Sequence, residues 1–372
     1  MSLLFTPTCI GSLEVPNRIV RSATGERMCR PDGRATPALA DFYARLARGG
    51  AGLIITGHSF VRADGKASEG MMGVHSDAMR PGLAEIVRVV HDAGARIVCQ
   101  INHAGRQTRP ERIDGKRPVA PSAVTDRASG ITPRELAADE VEPLVESYVA
   151  AARRCREVGF DGVQLHCAHG YLMSEFLSPY TNRREDAWGG SLEARARFPL
   201  EALRRIRADL GREYPVLVKL NAEDFIAGGL TLAQSCRIAA MMAEEGVDAV
   251  EISAGMAETA DQIVRKHIDA PEKEAYFLPY AREFRRHVAV PLLCVGGLRS
   301  LAVMEQVIST GAADLVSLCR PLIREPELPR KLREGTATRA ACISCNCCTN
   351  DPQGRLACAL DMQPPPDGEA KG

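Results

Sequence analysis

Two imidazoles and a phenol stand within one short stretch, Leu165-His166-Cys167-Ala168-His169-Gly170-Tyr171-Leu172. The apolar run Gly162-Val163-Gln164 leads into it and reads as a buried strand, and Gly170 interrupts it. The three side chains are therefore delivered where a strand gives way to a loop. Histidines three residues apart can both point at one small acceptor, such as a carbonyl oxygen, and Tyr171 can hand a proton to an adjacent carbon. That is equipment for polarising an electrophile and protonating the product. An H-x-x-H pair is also half of a metal site, and a lone buried histidine also serves as a satisfied core residue. The H-E-x-x-H pattern of helical zinc sites is absent.

Apolar runs over residues 18–23, 51–57, 95–101, 162–167, 215–221, 249–254, 291–297 and 313–320 frame this stretch. They are continuously apolar rather than alternating, as parallel strands buried on both faces are. Amphipathic stretches lie between them. One begins at Thr36-Pro37 and stops at Gly49-Gly50, and others fall near 83–93, 142–158, 192–210, 232–245, 275–288 and 301–311. Eight strands alternating with helices predict an α/β fold, a (β/α)8 TIM barrel over residues 1–335, with a short Cys-rich C-terminal extension at 336–360. A doubly wound sheet would carry G-x-G-x-x-G after its first strand, which this chain lacks. Residues 361–372 contain Pro-Pro-Pro and are expected to be disordered.

Barrel chemistry sits at the C-terminal ends of the strands. Thr24, Gln100, His103, His166, His169, Lys219, Gly296-Gly297 and Arg320 all fall there. Glycine-rich backbone after the seventh strand and an arginine after the eighth describe a phosphate site. Residues 107–139 form a long polar insertion of the kind that serves as a lid or binding loop.

Composition narrows the function classes. The 47 basic and 47 acidic residues leave no formal net charge, and no Lys/Arg cluster stands out along the chain, so no nucleic-acid partner is expected. No long apolar run suggests a membrane span, and Met1–Phe5 does not read as a signal peptide. The cysteines outside the C-terminal cluster, Cys99, Cys167, Cys294 and Cys319 among them, are scattered singly within mostly apolar segments. That usage suits a reducing cytoplasm, the expected location.

The chain resembles the Old Yellow Enzyme family of FMN-dependent NAD(P)H oxidoreductases, and in particular the barrel domain of 2,4-dienoyl-CoA reductase. The resemblance rests on Asn17 to Thr24, Gly52 to Gly57, Gln100-Ile101-Asn102-His103-Ala104-Gly105-Arg106 and His166 to Leu172. It continues through Phe176-Leu177-Ser178-Pro179, Asn182-Arg183-Arg184, Trp188 to Glu193, Val218-Lys219-Leu220-Asn221 and Arg320-Pro321-Leu322-Ile323, together spanning about residues 3–335. It implies FMN as cofactor, with Ala23, Thr24, Gly25 and Gly57 beside the isoalloxazine and Gln100 on its pyrimidine edge. Lys219 would lie near N1, and Gly296, Gly297 and Arg320 at the phosphate. It implies NADH or NADPH as donor, His166 and His169 gripping the carbonyl of an activated alkene, and Tyr171 as proton donor; homo-oligomers are common in the family. Two positions depart from it. Gly25 stands where many relatives carry Thr or Cys, and Cys319 where relatives commonly show Gly, which is expected to crowd the phosphate.

Cys342, Cys345, Cys347, Cys348 and Cys358 cluster near the C-terminus. In the dienoyl-CoA reductase branch a similar stretch ligates a [4Fe–4S] cluster, but the spacing here is shorter. Cys342, Cys345, Cys348 and Cys358 match a four-thiolate zinc set equally well, and a metal-free remnant is the third reading. Two functional alternatives therefore stand beside the ene-reductase: a partner-fed dienoyl- or enoyl-CoA-type reductase or dehydrogenase subunit, and a non-catalytic zinc-stabilised barrel.

Overall fold

The computed structural model describes residues 2–362. All eight expected strands form, each within or close to its predicted run: β1 (Ile19–Arg21), β2 (Leu53–Ile55), β3 (Arg96–Asn102), β4 (Gly162–Cys167), β5 (Val216–Asn221), β6 (Ala249–Ser253), β7 (Leu292–Val295) and β8 (Leu315–Leu318). Each pairs in parallel with the next, and β8 returns to β1 through Val316↔Ile19, Ser317↔Val20 and Leu318↔Arg21. The sheet is thus a closed barrel, and closure leaves the eight strands no free edge.

Side chains alternate between the two faces of a strand, which accounts for both cores. Outward-facing Ile97, Val163, Leu165, Val216, Val218, Val250 and Ile252 pack against the helices in the larger cluster. Inward-facing Val20, Leu53, Val98, Leu217, Ala249, Leu293 and Leu315 fill the lower barrel, and a hairpin of Thr8–Ile10 and Leu13–Val15 plugs the bottom with Ile10, Leu13 and Val15. Two residues further along the same inward face stand Ser22, Gln100, Lys219, Glu251 and Ser317, all buried. The interior changes from apolar to polar in one step, and the site lies above that step.

The surrounding helices are α1 (Pro37–Arg48), α2 (Arg80–Asp92), α3 (Ala138–Glu157), α4 (Leu192–Leu210), α5 (Leu232–Glu244), α6 (Leu278–Phe284), α7 (Leu301–Ser309) and α8 (Leu328–Glu334). At the head of α1, Thr36 accepts from the Leu39 amide at 3.3 Å and Pro37 opens the helix, as the sequence predicts. At its end a Cβ on Gly49 would meet the Pro326 carbonyl at 1.9 Å, so only glycine allows that approach. Helix α6 is shorter than the expected 275–288. Ala275 adopts a left-handed φ of 50°, and the Tyr276 amide donates to the Gly296 carbonyl at 3.2 Å instead of starting a turn. Of the tail expected to be disordered, 361–372, Asp361 pairs with Arg324 at 2.9 Å, and 363–372 lie outside the described residues. No helix among the described residues is long and apolar enough to cross a membrane.

Leu217 is fully buried in the lower barrel layer. Leu217→Ala should lower unfolding free energy by about 2–5 kcal/mol in urea titration; a loss below about 1 kcal/mol would mean this layer is not tightly packed.

Candidate active site

The polar step of the barrel carries two adjoining cavities. The first, about 340 Å³, is lined by Ala23, Thr24, Gly25, His58, Gln100, His166, His169, Tyr171 and Lys219. The second, about 610 Å³, shares Ala23, His169 and Lys219 with it and runs outward past Ser317, Gly296, Gly297, Arg299, Cys319 and Arg320. One trough therefore joins residues at the ends of β1, β3, β4, β5, β6, β7 and β8, and it gathers the site residues expected in the barrel except Gly57 and His103.

Gly57 lies behind the wall. Its amide donates to Glu26 Oε1 at 3.2 Å, and a Cβ there would strike the Glu26 carboxylate at 2.1 Å. His103 is also spent elsewhere: it contacts Asp64 Oδ1 at 3.3 Å and its Nδ1 accepts from the Gly105 amide at 3.1 Å.

His166 is the penultimate residue of β4, and the chain then turns at His169, whose φ of 65° is left-handed, with its amide donating to Asn221 Oδ1 at 3.2 Å. This turn folds the second imidazole back beside the first, ring centroids 5.2 Å apart and nearly perpendicular. Tyr171, at the head of the short helix Leu172–Leu177, brings its ring to 5.0 Å from His166. Burial holds both imidazoles well below their ordinary pKa, and the charges of Lys219 and the neighbouring histidines add to the effect. Burial also raises the Tyr171 phenol to about 12. At neutral pH the wall therefore presents two neutral imidazoles and a protonated phenol. His169 Nε2 lies 2.7 Å from Ser253 Oγ; a hydroxyl that donates there leaves the ring proton on Nδ1. His166 Nδ1 is buried with no hydrogen-bond partner.

A third imidazole belongs to this wall, and sequence reasoning missed it. The His58 ring lies 4.8 Å from Tyr171 and 6.0 Å from His166, with Nδ1 at 3.0 Å from Asn102 Nδ2. Burial, assisted by the charge of Arg27, lowers its pKa to about 4. The available signal was its place directly after Gly57 at the end of the second strand run.

The floor is a hydrogen-bonded row. Ser22 Oγ donates to Glu251 Oε1 at 2.6 Å and accepts from Lys219 Nζ at 2.9 Å. Gln164 Nε2 donates to Glu251 Oε2 at 3.0 Å, and Gln100 Nε2 donates to Gln164 Oε1 at 2.7 Å. Of these, only Gln100 and Lys219 were singled out from sequence. Ser22, Gln164 and Glu251 were legible only as inward positions two residues beyond apolar ones.

The loops over the site are tied to each other. Arg106 Nη2 donates to Glu258 Oε1 at 2.8 Å, linking the start of the 107–139 insertion to the loop after β6, and Gln107 Nε2 donates to the His169 carbonyl at 2.6 Å.

At the outer end, the Cys-rich segment lies against the trough. Ser344 lines it, and Asn346 Oδ1 accepts from Arg320 Nη1. Cys319 Sγ turns to Thr24 Oγ1 at 2.8 Å. Cys348 and Cys358 face each other across a two-stranded hairpin, Cys342 is buried and Cys345 only half-buried. Among the described residues no three His, Cys, Asp or Glu side chains stand close enough to hold a metal ion.

A sequence profile of the NADH:flavin oxidoreductase / NADH oxidase family matches residues 3–339. The chain belongs to that family. An NADH oxidase of Thermoanaerobacter brockii is 40% identical over 347 residues, covering 92% of this chain and 52% of that protein. An NADPH dehydrogenase of a Geobacillus species (strain WCH70) is 35% identical over 329 residues, covering 88% of this chain and 93% of the relative. The solved Old Yellow Enzyme homologue of Zymomonas mobilis superposes with a TM-score of 0.78 at 30% identity, covering 95% of this chain and 98% of that one. The chain spans about half the length of the first curated relatives it matches.

Membership of the Old Yellow Enzyme family implies flavin mononucleotide, and the trough fits it. The ring end offers an amide and a lysine, and the outer end an arginine and two glycines with φ of 118° and 71°. Ser317 Oγ and Arg299 Nε, both on residues that line the outer end, are buried without partners. Gln100 and Lys219 would hold the pyrimidine side, and Arg320 with the Gly296-Gly297 turn the phosphate.

The neutral state of His58 has a pH signature. Its folded pKa of about 4 lies below the ordinary 6.5, so on acidification the unfolded chain takes up a proton first and stability falls as pH drops from about 6.5 toward 4. His58→Gln should show a smaller fall in Tm than wild type between about pH 7 and pH 4.5. An equal fall in both proteins would remove His58 from the neutral set.

Proposed function

We propose that this chain is an NAD(P)H-dependent flavin oxidoreductase acting as an ene-reductase, which delivers hydride to the β-carbon of an alkene activated by a carbonyl group. The observation that carries this is the two neutral imidazoles and protonated phenol on the wall of a cavity floored by Gln100 and Lys219. Flavin mononucleotide, held by Gln100, Lys219, Arg320 and the Gly296-Gly297 turn, would supply the hydride, drawn from NADH or NADPH. The chain's own residues supply the rest. His166 and His169 donate to the substrate's carbonyl oxygen, where negative charge grows as hydride arrives. Donors aimed at developing charge stabilise the transition state more than the ground state, and in an enclosed site they act with little screening. Tyr171 holds its proton at neutral pH and passes it to the α-carbon. The loops joined by Arg106 and Glu258 cover the site and choose among substrates.

The NADH oxidase and NADPH dehydrogenase relatives support the nicotinamide donor. The test is an anaerobic titration of the flavin-loaded protein with NADH and then NADPH, followed by 2-cyclohexenone. Bleaching of the flavin spectrum by a nucleotide and its recovery on adding enone are expected. Flavin that neither nucleotide bleaches would transfer support to the partner-fed subunit.

Two substitutions test the roles. Tyr171→Phe should slow reoxidation by enone while leaving flavin reduction nearly intact; equal slowing of both half-reactions would remove Tyr171 as proton donor. His169→Ala should slow reoxidation by about 10²–10³-fold in stopped flow, the effect of losing one such donor. A change below about threefold would leave the carbonyl grip without support.

A further inference from the structure

We propose that Glu251 is a positioning residue for the pyrimidine side of the flavin: it holds Lys219, and through Gln164 it decides which atoms Gln100 turns toward the cavity. This assignment rests on the flavin reading of the site.

The barrel register sets up the arrangement. Lys219 and Glu251 are direct partners on β5 and β6, and Gln100 and Gln164 are direct partners on β3 and β4. Glu251 is fully buried and Lys219 is 4% exposed, with Nζ 3.4 Å from Glu251 Oε1 and the Ser22 hydroxyl bridging the two.

The other carboxylate oxygen sets a direction. An ionised carboxylate only accepts hydrogen bonds, so Gln164 must present its NH₂ to Oε2, as it does at 3.0 Å. The Gln164 carbonyl is then left to accept from Gln100 Nε2, at 2.7 Å. Gln100 retains its carbonyl oxygen and one N–H for the cavity. An acceptor beside a donor matches the pyrimidine edge of a flavin, which offers an N–H flanked by carbonyl oxygens. With a neutral amide in place of Glu251 the row has no required direction, and Gln100 has no reason to keep that pair facing inward.

The second consequence is electrostatic. A buried carboxylate 3.4 Å from Lys219 offsets much of the lysine's charge as felt in the cavity above. Glu251 therefore opposes the negative charge that reduction places on the pyrimidine side, and its removal should make the bound flavin easier to reduce.

The experiment compares wild type, Glu251→Gln, Gln164→Leu and Glu251→Asp. FMN dissociation is measured on reconstituted apoprotein by fluorescence, and the midpoint potential by reduction alongside a reference dye. Glu251→Gln is expected to bind FMN about 10-fold more weakly, on the scale of one lost hydrogen bond to a charged group, and to show a more positive potential. Gln164→Leu breaks the row but keeps the charge, so it should weaken FMN binding with little change in potential. Glu251→Asp should return the potential toward the wild-type value. Wild-type affinity and potential in Glu251→Gln would overturn the assignment. So would an equal potential shift in Gln164→Leu, which would mark general loosening of the floor. Should Glu251→Gln fail to fold by circular dichroism, Gln164→Leu decides, and unweakened FMN binding there overturns the row. Wild-type protein that takes up no FMN fails the flavin reading, and this assignment with it.

Discussion

Lys219 and Glu251 share one register position on adjacent strands of a closed parallel sheet, which buries both side chains. Removing one partner of such a pair strands a buried charge, at a cost of roughly 3–5 kcal/mol. The pair constrains its surroundings in turn. Ser22 must bridge it, Gln164 must donate to its free oxygen, and Gln100 must donate to Gln164. The floor is therefore built in one arrangement, and both groups that would meet the flavin's pyrimidine side are placed by it. Below lies a packed layer of Val98, Leu217, Ala249 and Leu293. That layer keeps water from entering from beneath and makes the pairing necessary.

The wall above works by the same desolvation with the opposite result. His166, His169 and His58 have no carboxylate partner, so burial drives them to the neutral form, and the lysine below reinforces this for the first two. A neutral donor binds an uncharged carbonyl only modestly and gains as charge develops on the oxygen it faces. In the proposed reaction floor and wall divide the work: the charged pair would serve the cofactor side, and the neutral donors would face the substrate.

Much of this was readable along the chain. Apolar runs with helical stretches between them predicted the eight strands and the barrel, because strands buried on both faces must be apolar throughout. The His166–Tyr171 stretch, Gln100, Lys219, Gly296-Gly297 and Arg320 were found because catalytic side chains cluster where barrel strands end. What spacing along the C-terminal segment did not indicate is that Ser344 and Asn346 would be the residues approaching the outer end of the trough, while the hairpin sets Cys348 opposite Cys358.

Local pattern, then, was enough for element type, for strand ends and for the residue types that do chemistry, since each depends on periodicities of a few residues. Which residues meet across the barrel was settled only by closure. Glu251 lies 229 residues from Ser22 and 87 from Gln164, and no local pattern records that their side chains share one layer. The same holds for His58 joining the wall and Gly57 withdrawing behind it. A side chain's neighbours, and with them its charge state, are set by strand register around a closed sheet, a property of the whole chain.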